Sequence, residues 1–199
     1  MHRKTGWMRD RERIHPFNFM PMSSPITPEE EQRYAELQTL ALDFARQGNT
    51  ESLAPMLAAG LPVNLADHKQ NTLLMLAAYH GHEETVRMLL KCGAKVDQRN
   101  DRQQTPLGGV AFKGYPEIAT LLIMAGAEVD ADHGNGMTPL MFARMFGREE
   151  VAKVLEAAGA NSAAKSRGLS IGQMSLLMRF LRILAKPLLW LRSGLASTS

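Results

Sequence analysis

The sequence predicts an all-α solenoid of about four helix–turn–helix repeats with short β-hairpin-like loops and terminal capping helices. Three columns of identical residues carry the prediction. Thr39, Thr72, Thr105 and Thr138 stand 33 residues apart, as do Gly48, Gly81, Gly114 and Gly147, and Gly60, Gly93, Gly126 and Gly159. One period shared by three columns over four copies is not an accident of composition. The composition agrees with it: 45% of residues are apolar but only 6% aromatic, so Ala, Leu and Met must fill the core. Small, unbranched side chains suit close helix packing better than a β-sandwich.

Taken in order, residues 1–26 read as a flexible tail. Arg3, Lys4, Arg9, Asp10, Arg11, Glu12 and Arg13 interrupt any apolar run, so no export signal is expected there. Thr27-Pro28-Glu29-Glu30 supplies an N-cap, a first-position proline and a capping-box acid, predicting a shielding helix from Pro28 towards Arg46. Repeats are expected at about 38–70, 71–103, 104–136 and 137–165, within a domain of residues 27–165.

Each repeat has the same local logic. Its threonine is expected to cap the first helix, with Pro106 and Pro139 at the first helical position. The apolar stretches Leu73–Tyr79, Leu107–Phe112 and Leu140–Met145 form that helix. The next glycine reverses the chain at positive φ. Glu83 and Glu84, Glu117, and Glu149 and Glu150 then begin a second helix at the positive end of its dipole. Val86, Leu89 and Leu90 in one repeat, and Ile118, Leu121 and Leu122 in the next, give it a buried stripe. The third glycine ends it, and extended segments at Ala94–Asp97 and Ala127–Asp130 lead to a polar loop. Two positions weaken the pattern. Pro55 removes a hydrogen bond from the second helix of repeat one, and Gly108-Gly109 costs its helix about 1 kcal/mol per glycine relative to alanine.

The net charge of +3 hides a split. Residues 17–160 hold 12 Lys/Arg against 18 Asp/Glu, whereas residues 161–199 hold six bases and no acid. The repeats are therefore acidic, and the overall basic balance is no argument for nucleic-acid binding.

Thr105-Pro106-Leu107 and Thr138-Pro139-Leu140 open repeats, and Gly93-Ala94, Gly126-Ala127 and Gly159-Ala160 close them. With its 33-residue period, this layout over residues 38–165 resembles the ankyrin repeat family. The run Leu73–Ala78 also looks like short bacterial members of it. One departure is that the histidine usual after Thr-Pro-Leu is Met75, Gly108 and Met141 here, which leaves its helix-to-loop hydrogen bonds without a donor. The resemblance implies a protein–protein interaction scaffold or adaptor, cytoplasmic and monomeric, without cofactor or metal.

The resemblance also places partner contacts at the loop tips and the exposed ends of the first helices. The matching loop residues are His68, Lys69 and Asn71; Asp101, Arg102 and Gln104; Gly134, Asn135 and Met137. At the helix ends stand Tyr79 and His80, Phe112 and Lys113, and Met145 and Phe146, which put a strip of aromatics and Met along one concave face. Two readings stay open for that strip: packing between repeats, or anchoring of a partner.

Residues 166–199 read as a basic amphipathic helix and tail. Arg179, Arg182 and Lys186 share one helical face, and Leu177, Phe180, Leu181, Leu184 and Leu188 the other. Charges and Pro187 argue against a bilayer span. Three roles remain: capping the stack, meeting an anionic membrane surface (favoured by Trp190), or entering a partner's groove. The membrane role makes the chain a peripheral, membrane-associated adaptor.

An enzyme is the rival class. His80 and His82 flank Gly81 beside Glu83 and Glu84, yet the same columns elsewhere hold Lys113 and Tyr115, or Phe146 and Arg148, so a metal site is not expected. Cys92 occupies a column of alanines and reads as a packing residue. No nucleophile turn, phosphate loop or dinucleotide fingerprint is present.

Overall fold

Thr27 starts the first helix as the capping box requires: its hydroxyl accepts from the Glu30 N–H, and the Glu30 carboxylate accepts from the Thr27 N–H. The computed structural model of the chain describes residues 27–163, 165–166, 169–170, 173 and 176. Within residues 27–163, eight helices follow in pairs: α1 (Pro28–Gln47) and α2 (Thr50–Ala58), α3 (Leu73–His80) and α4 (Glu83–Lys91), α5 (Pro106–Lys113) and α6 (Pro116–Met124), α7 (Pro139–Met145) and α8 (Glu149–Ala157).

The first helices stack as one row, α1 on α3 on α5 on α7, and the second helices as another. The buried core lies between the rows, with Leu53, Leu74, Val86, Leu89, Leu107, Ile118, Leu122, Leu140 and Leu155 essentially inaccessible. Alanines 41, 77, 111, 119, 143 and 152 are fully buried too, which lets neighbouring helices approach closely.

Thr72, Thr105 and Thr138 cap α3, α5 and α7 through bonds from Met75, Gly108 and Met141 N–H. Thr39 does not cap. It lies exposed inside α1, where its hydroxyl donates 2.9 Å to the Ala35 carbonyl. No loop separates Thr39 from Pro28, so the first helix of the first repeat runs on from the shielding helix. Pro55 is accommodated within α2. Pro55 has no N–H to offer the carbonyl of Glu51 one turn earlier, and Glu51 is exposed.

Gly81 and Gly114 show why the second glycine column is fixed. Both have positive φ, +86° and +94°, and both are overlaid by the side chain that begins the next repeat's second helix. A Cβ at Gly81 would come within 2.9 Å of the Tyr115 ring, and one at Gly114 within 2.7 Å of Arg148. Backbone freedom and lack of a side chain are both used there.

The segments expected to be extended instead turn, at Val96–Asp97 and Val129–Asp130. Side chains hold these turns across repeats. Asn64 accepts from Lys95 N–H at 2.8 Å, Asp97 from Glu128 N–H at 2.9 Å, and Asp130 from Asn161 N–H at 3.0 Å. After α8 a two-residue antiparallel pair joins β1 (Lys165–Ser166) to β2 (Leu169–Ser170), at the start of the stretch 166–199. Among the described residues, no helix is long and apolar enough to cross a membrane.

Candidate functional site

Three hairpin-like loops stand at the ends of the first helices, each closed by a residue that bonds the main chain of its own loop. Asp67 Oδ1 accepts from the N–H groups of Lys69 and Asn71, both at 2.9 Å. Asn100, one period on, accepts from Arg102 and Gln104 N–H, both at 3.0 Å. Asp132 does the same for Gly134 and Gly136. Gln70 and Gln103 take positive φ at the tips, near +60°, a conformation these closures impose. The first two loops are also tied to each other, through Asn100 Nδ2 donating to Asn71 Oδ1 at 2.9 Å and Asp101 N–H donating to the Lys69 carbonyl at 3.1 Å.

Between these loops and helices α3 and α5 runs a groove of about 760 Å³. Of the residues singled out in the sequence, it brings together His68, Lys69, Asn71, Tyr79, His80, Asp101, Arg102, Gln104 and Phe112. The Tyr79 and Phe112 rings stack within 6° of parallel, with centroids 6.4 Å apart. Phe146 meets Phe112 edge-on at 4.5 Å, extending the run of rings beyond the groove. Lys113 is at the rim, its Nζ 5.0 Å above the Tyr79 ring, a distance suited to cation–π attraction. Met145 is half-buried at the end of α7 and, like Phe146, does not line the groove. The aromatic strip thus packs between repeats and still exposes Tyr79, at 38% of its surface.

Sequence reasoning did not single out other lining residues as contacts, among them Arg46, Asp67, Leu76, Asn100, Gly109 and Phe142. Arg46 at the end of α1 holds Asp43 at 2.6 Å and Asp67 at 3.3 Å. Burial alone would raise the Asp67 pKa. The hydrogen bonds from Asn71, Lys69 and Arg46 outweigh it and hold the carboxyl below its ordinary value. His80 is shifted down, first by burial and then by His82, Lys113 and Arg46, which favours its neutral form.

The histidine pair beside Gly81 is not assembled as a ligand set. His82 Nε2 engages the Arg46 carbonyl at 2.7 Å and packs over Gly48. Among the described residues, no three His, Cys, Asp or Glu side chains gather where a metal ion could be held. Cys92 is exposed, with its thiol 3.9 Å from the Met88 sulfur. Arg179, Arg182, Lys186 and Trp190 lie outside the described residues, and with them the amphipathic-helix reading of the tail.

Comparison with known proteins matches residues 40–133 to the family model of ankyrin repeats in three copies, and residues 135–167 to that of the single ankyrin repeat. Over 58 residues the chain is 46% identical to a protein of Pseudomonas aeruginosa that bears the name of an ankyrin repeat protein. That stretch is 29% of this chain and 34% of the other, so the chain matches about a third of the length of this curated relative.

Proposed function

Since this chain belongs to the ankyrin repeat family, we propose that it is a binding module without catalysis of its own, holding a second protein along the groove between its loop tips and first helices. One observation carries the reading: the groove crosses from the second repeat to the third with two stacked aromatic rings on its wall. Aromatic side chains bury a large area at small entropic cost, which is why they dominate the energetics of interfaces. The loops that frame the groove are already cross-linked by hydrogen bonds, so little ordering remains to oppose association. The groups nearest to chemical use, Asp67 and His82, are committed to main-chain contacts.

The test is affinity capture from cells of the native host, with the full chain and its Tyr79→Ala/Phe112→Ala double variant as baits. Proteins held by the first and lost by the second, with cooperative melting retained, are the expected result. An aromatic pair contributes about 0.5–1.5 kcal/mol beyond its buried area, so a modest drop in melting temperature accompanies the loss. Capture of the same proteins by both baits would rule the groove out as the binding face.

A further inference from the structure

The row of residues along the groove floor is broken at Gly109. Helices α3, α5 and α7 place Leu76, Gly109 and Phe142 one period apart, and all three line the groove. A Cβ built on Gly109 meets a single neighbour within 4 Å, Tyr79 Cδ2 at 3.4 Å, an ordinary contact. The space above it is otherwise open. Gly108, one residue earlier, is the opposite case, because the His133 imidazole fills the volume over it. Two successive glycines therefore do different things. One admits a side chain of the protein itself, and the other leaves open space beside Tyr79, in a groove that Leu76, Phe112 and Phe142 also line.

Internal packing does not demand that space. Alanine would fit at Gly109 and would favour the helix by about 1 kcal/mol. A helix position left bare at that cost, on the floor of a groove, suits an apolar side chain arriving from outside.

The charge around the groove narrows what that side chain belongs to. Residues 27–163 carry an excess of acid, 18 Asp/Glu against 12 Lys/Arg, but the groove mouth has the opposite sign. Lys69 and Arg102 project from adjacent loop tips, and Lys113 stands over Tyr79. None of the three joins an ion pair within the described residues. Asp67 is already matched by Arg46, which leaves Asp101 as the unmatched acid among the lining residues.

We propose that the groove takes an acidic segment of a partner protein, with one apolar side chain seated over Gly109 and flanking carboxylates met by Lys69, Arg102 and Lys113. This rests on the groove being the protein-binding face. Single-stranded nucleic acid also pairs phosphates with cations and bases with aromatic rings, but the methyl group of a thymine fills less of the open space over Gly109 than a Leu, Met or Phe side chain does.

Selection of short random peptides displayed on phage, with the full chain as bait, tests the proposal, followed by fluorescence polarisation with the enriched sequences. Enrichment of Leu, Met or Phe flanked by Asp or Glu is expected. Burying such a side chain is worth about 1.5–3 kcal/mol, so Gly109→Leu should weaken these peptides roughly ten-fold or more. The triple variant Lys69→Glu/Arg102→Glu/Lys113→Glu should weaken them comparably and remove the loss of affinity with added salt, and it keeps the test intact if Gly109→Leu does not fold. Peptides without acids, or peptides that bind both variants as tightly as the wild type, overturn the proposal. If such peptides still fail on Tyr79→Ala/Phe112→Ala, the groove stands and only its chemistry is wrong. Peptides indifferent to every variant overturn the groove reading as well. Absence of enrichment, or tighter binding of an oligothymidylate than of any selected peptide, also overturns the proposal.

Discussion

The imidazole of His133 stands in the volume that a side chain at Gly108 would occupy. It is held there by two bonds of defined sense. The Met137 carbonyl can only accept, so Nδ1, 3.3 Å away, carries the ring proton. Nε2 is then the acceptor for the Thr105 hydroxyl at 3.0 Å, and that hydroxyl accepts in turn from the Gly108 N–H at 3.3 Å. Helix cap, glycine and loop histidine form one connected chain.

Gly108→Ala should therefore destabilise the fold, although alanine is the better helix former. Overpacking a filled site costs about 1–3 kcal/mol, which exceeds the roughly 1 kcal/mol gained in propensity. Urea denaturation of Gly108→Ala, His133→Ala and the double variant measures the coupling. The double variant should be more stable than the sum of the two single losses predicts. Strict additivity would mean that the two sites do not share the space.

The same ring gives a pH dependence. Burial is the largest cause of a His133 pKa below its ordinary 6.5, assisted by Arg99 and opposed by its bond to Met137 and by Asp132. An unfolded chain then takes up this proton before the folded one does. The contribution to stability is complete above about pH 6.5 and is lost progressively as pH falls below it. Urea midpoints measured between pH 7.5 and 5 should decline for the wild type and decline less for His133→Gln. Equal slopes in the two proteins would remove His133 as the source.

Threonines of one column should not respond alike. Thr72→Ala removes the hydroxyl that accepts from Met75 N–H and should cost about 1 kcal/mol. Thr39→Ala replaces an exposed residue inside α1, so its effect should stay within about 0.5 kcal/mol. Thermal melts of the two variants separate these cases. An equal loss at both sites would restore Thr39 to a capping role.

Most of the repeat was legible because caps and chain reversals require particular residue types, and the columns at Thr72 and Gly81 advertise them. Thr39 misled for a physical reason: a residue type marks a cap only where a loop precedes it, and none separates Thr39 from Pro28. The histidine missing after Thr-Pro-Leu was also legible as an absence. Its replacement was not, because His133 reaches Thr105 from the following loop and no local spacing predicts that approach. The aromatic strip was visible as a column, whereas the open space over Gly109 exists only once the folded chain brings Leu76 and Phe142 into the same groove. Asn64, Asp97 and Asp130 keep the 33-residue period too, but a column that mixes amide and carboxylate is harder to see than one of identical residues.

Those three side chains set a rule for how the chain can change length. Each engages a backbone N–H exactly one fixed contour ahead, 31 residues on, while His82 and Arg148 reach back 36 residues to the Arg46 and Phe112 carbonyls. A residue inserted between Asn64 and Lys95 would put the forward and backward ties out of phase. A whole additional repeat would keep every tie in phase. The molecule can thus grow or shrink by complete modules, and a groove such as the one between its second and third repeats can be gained or lost without redesigning its neighbours.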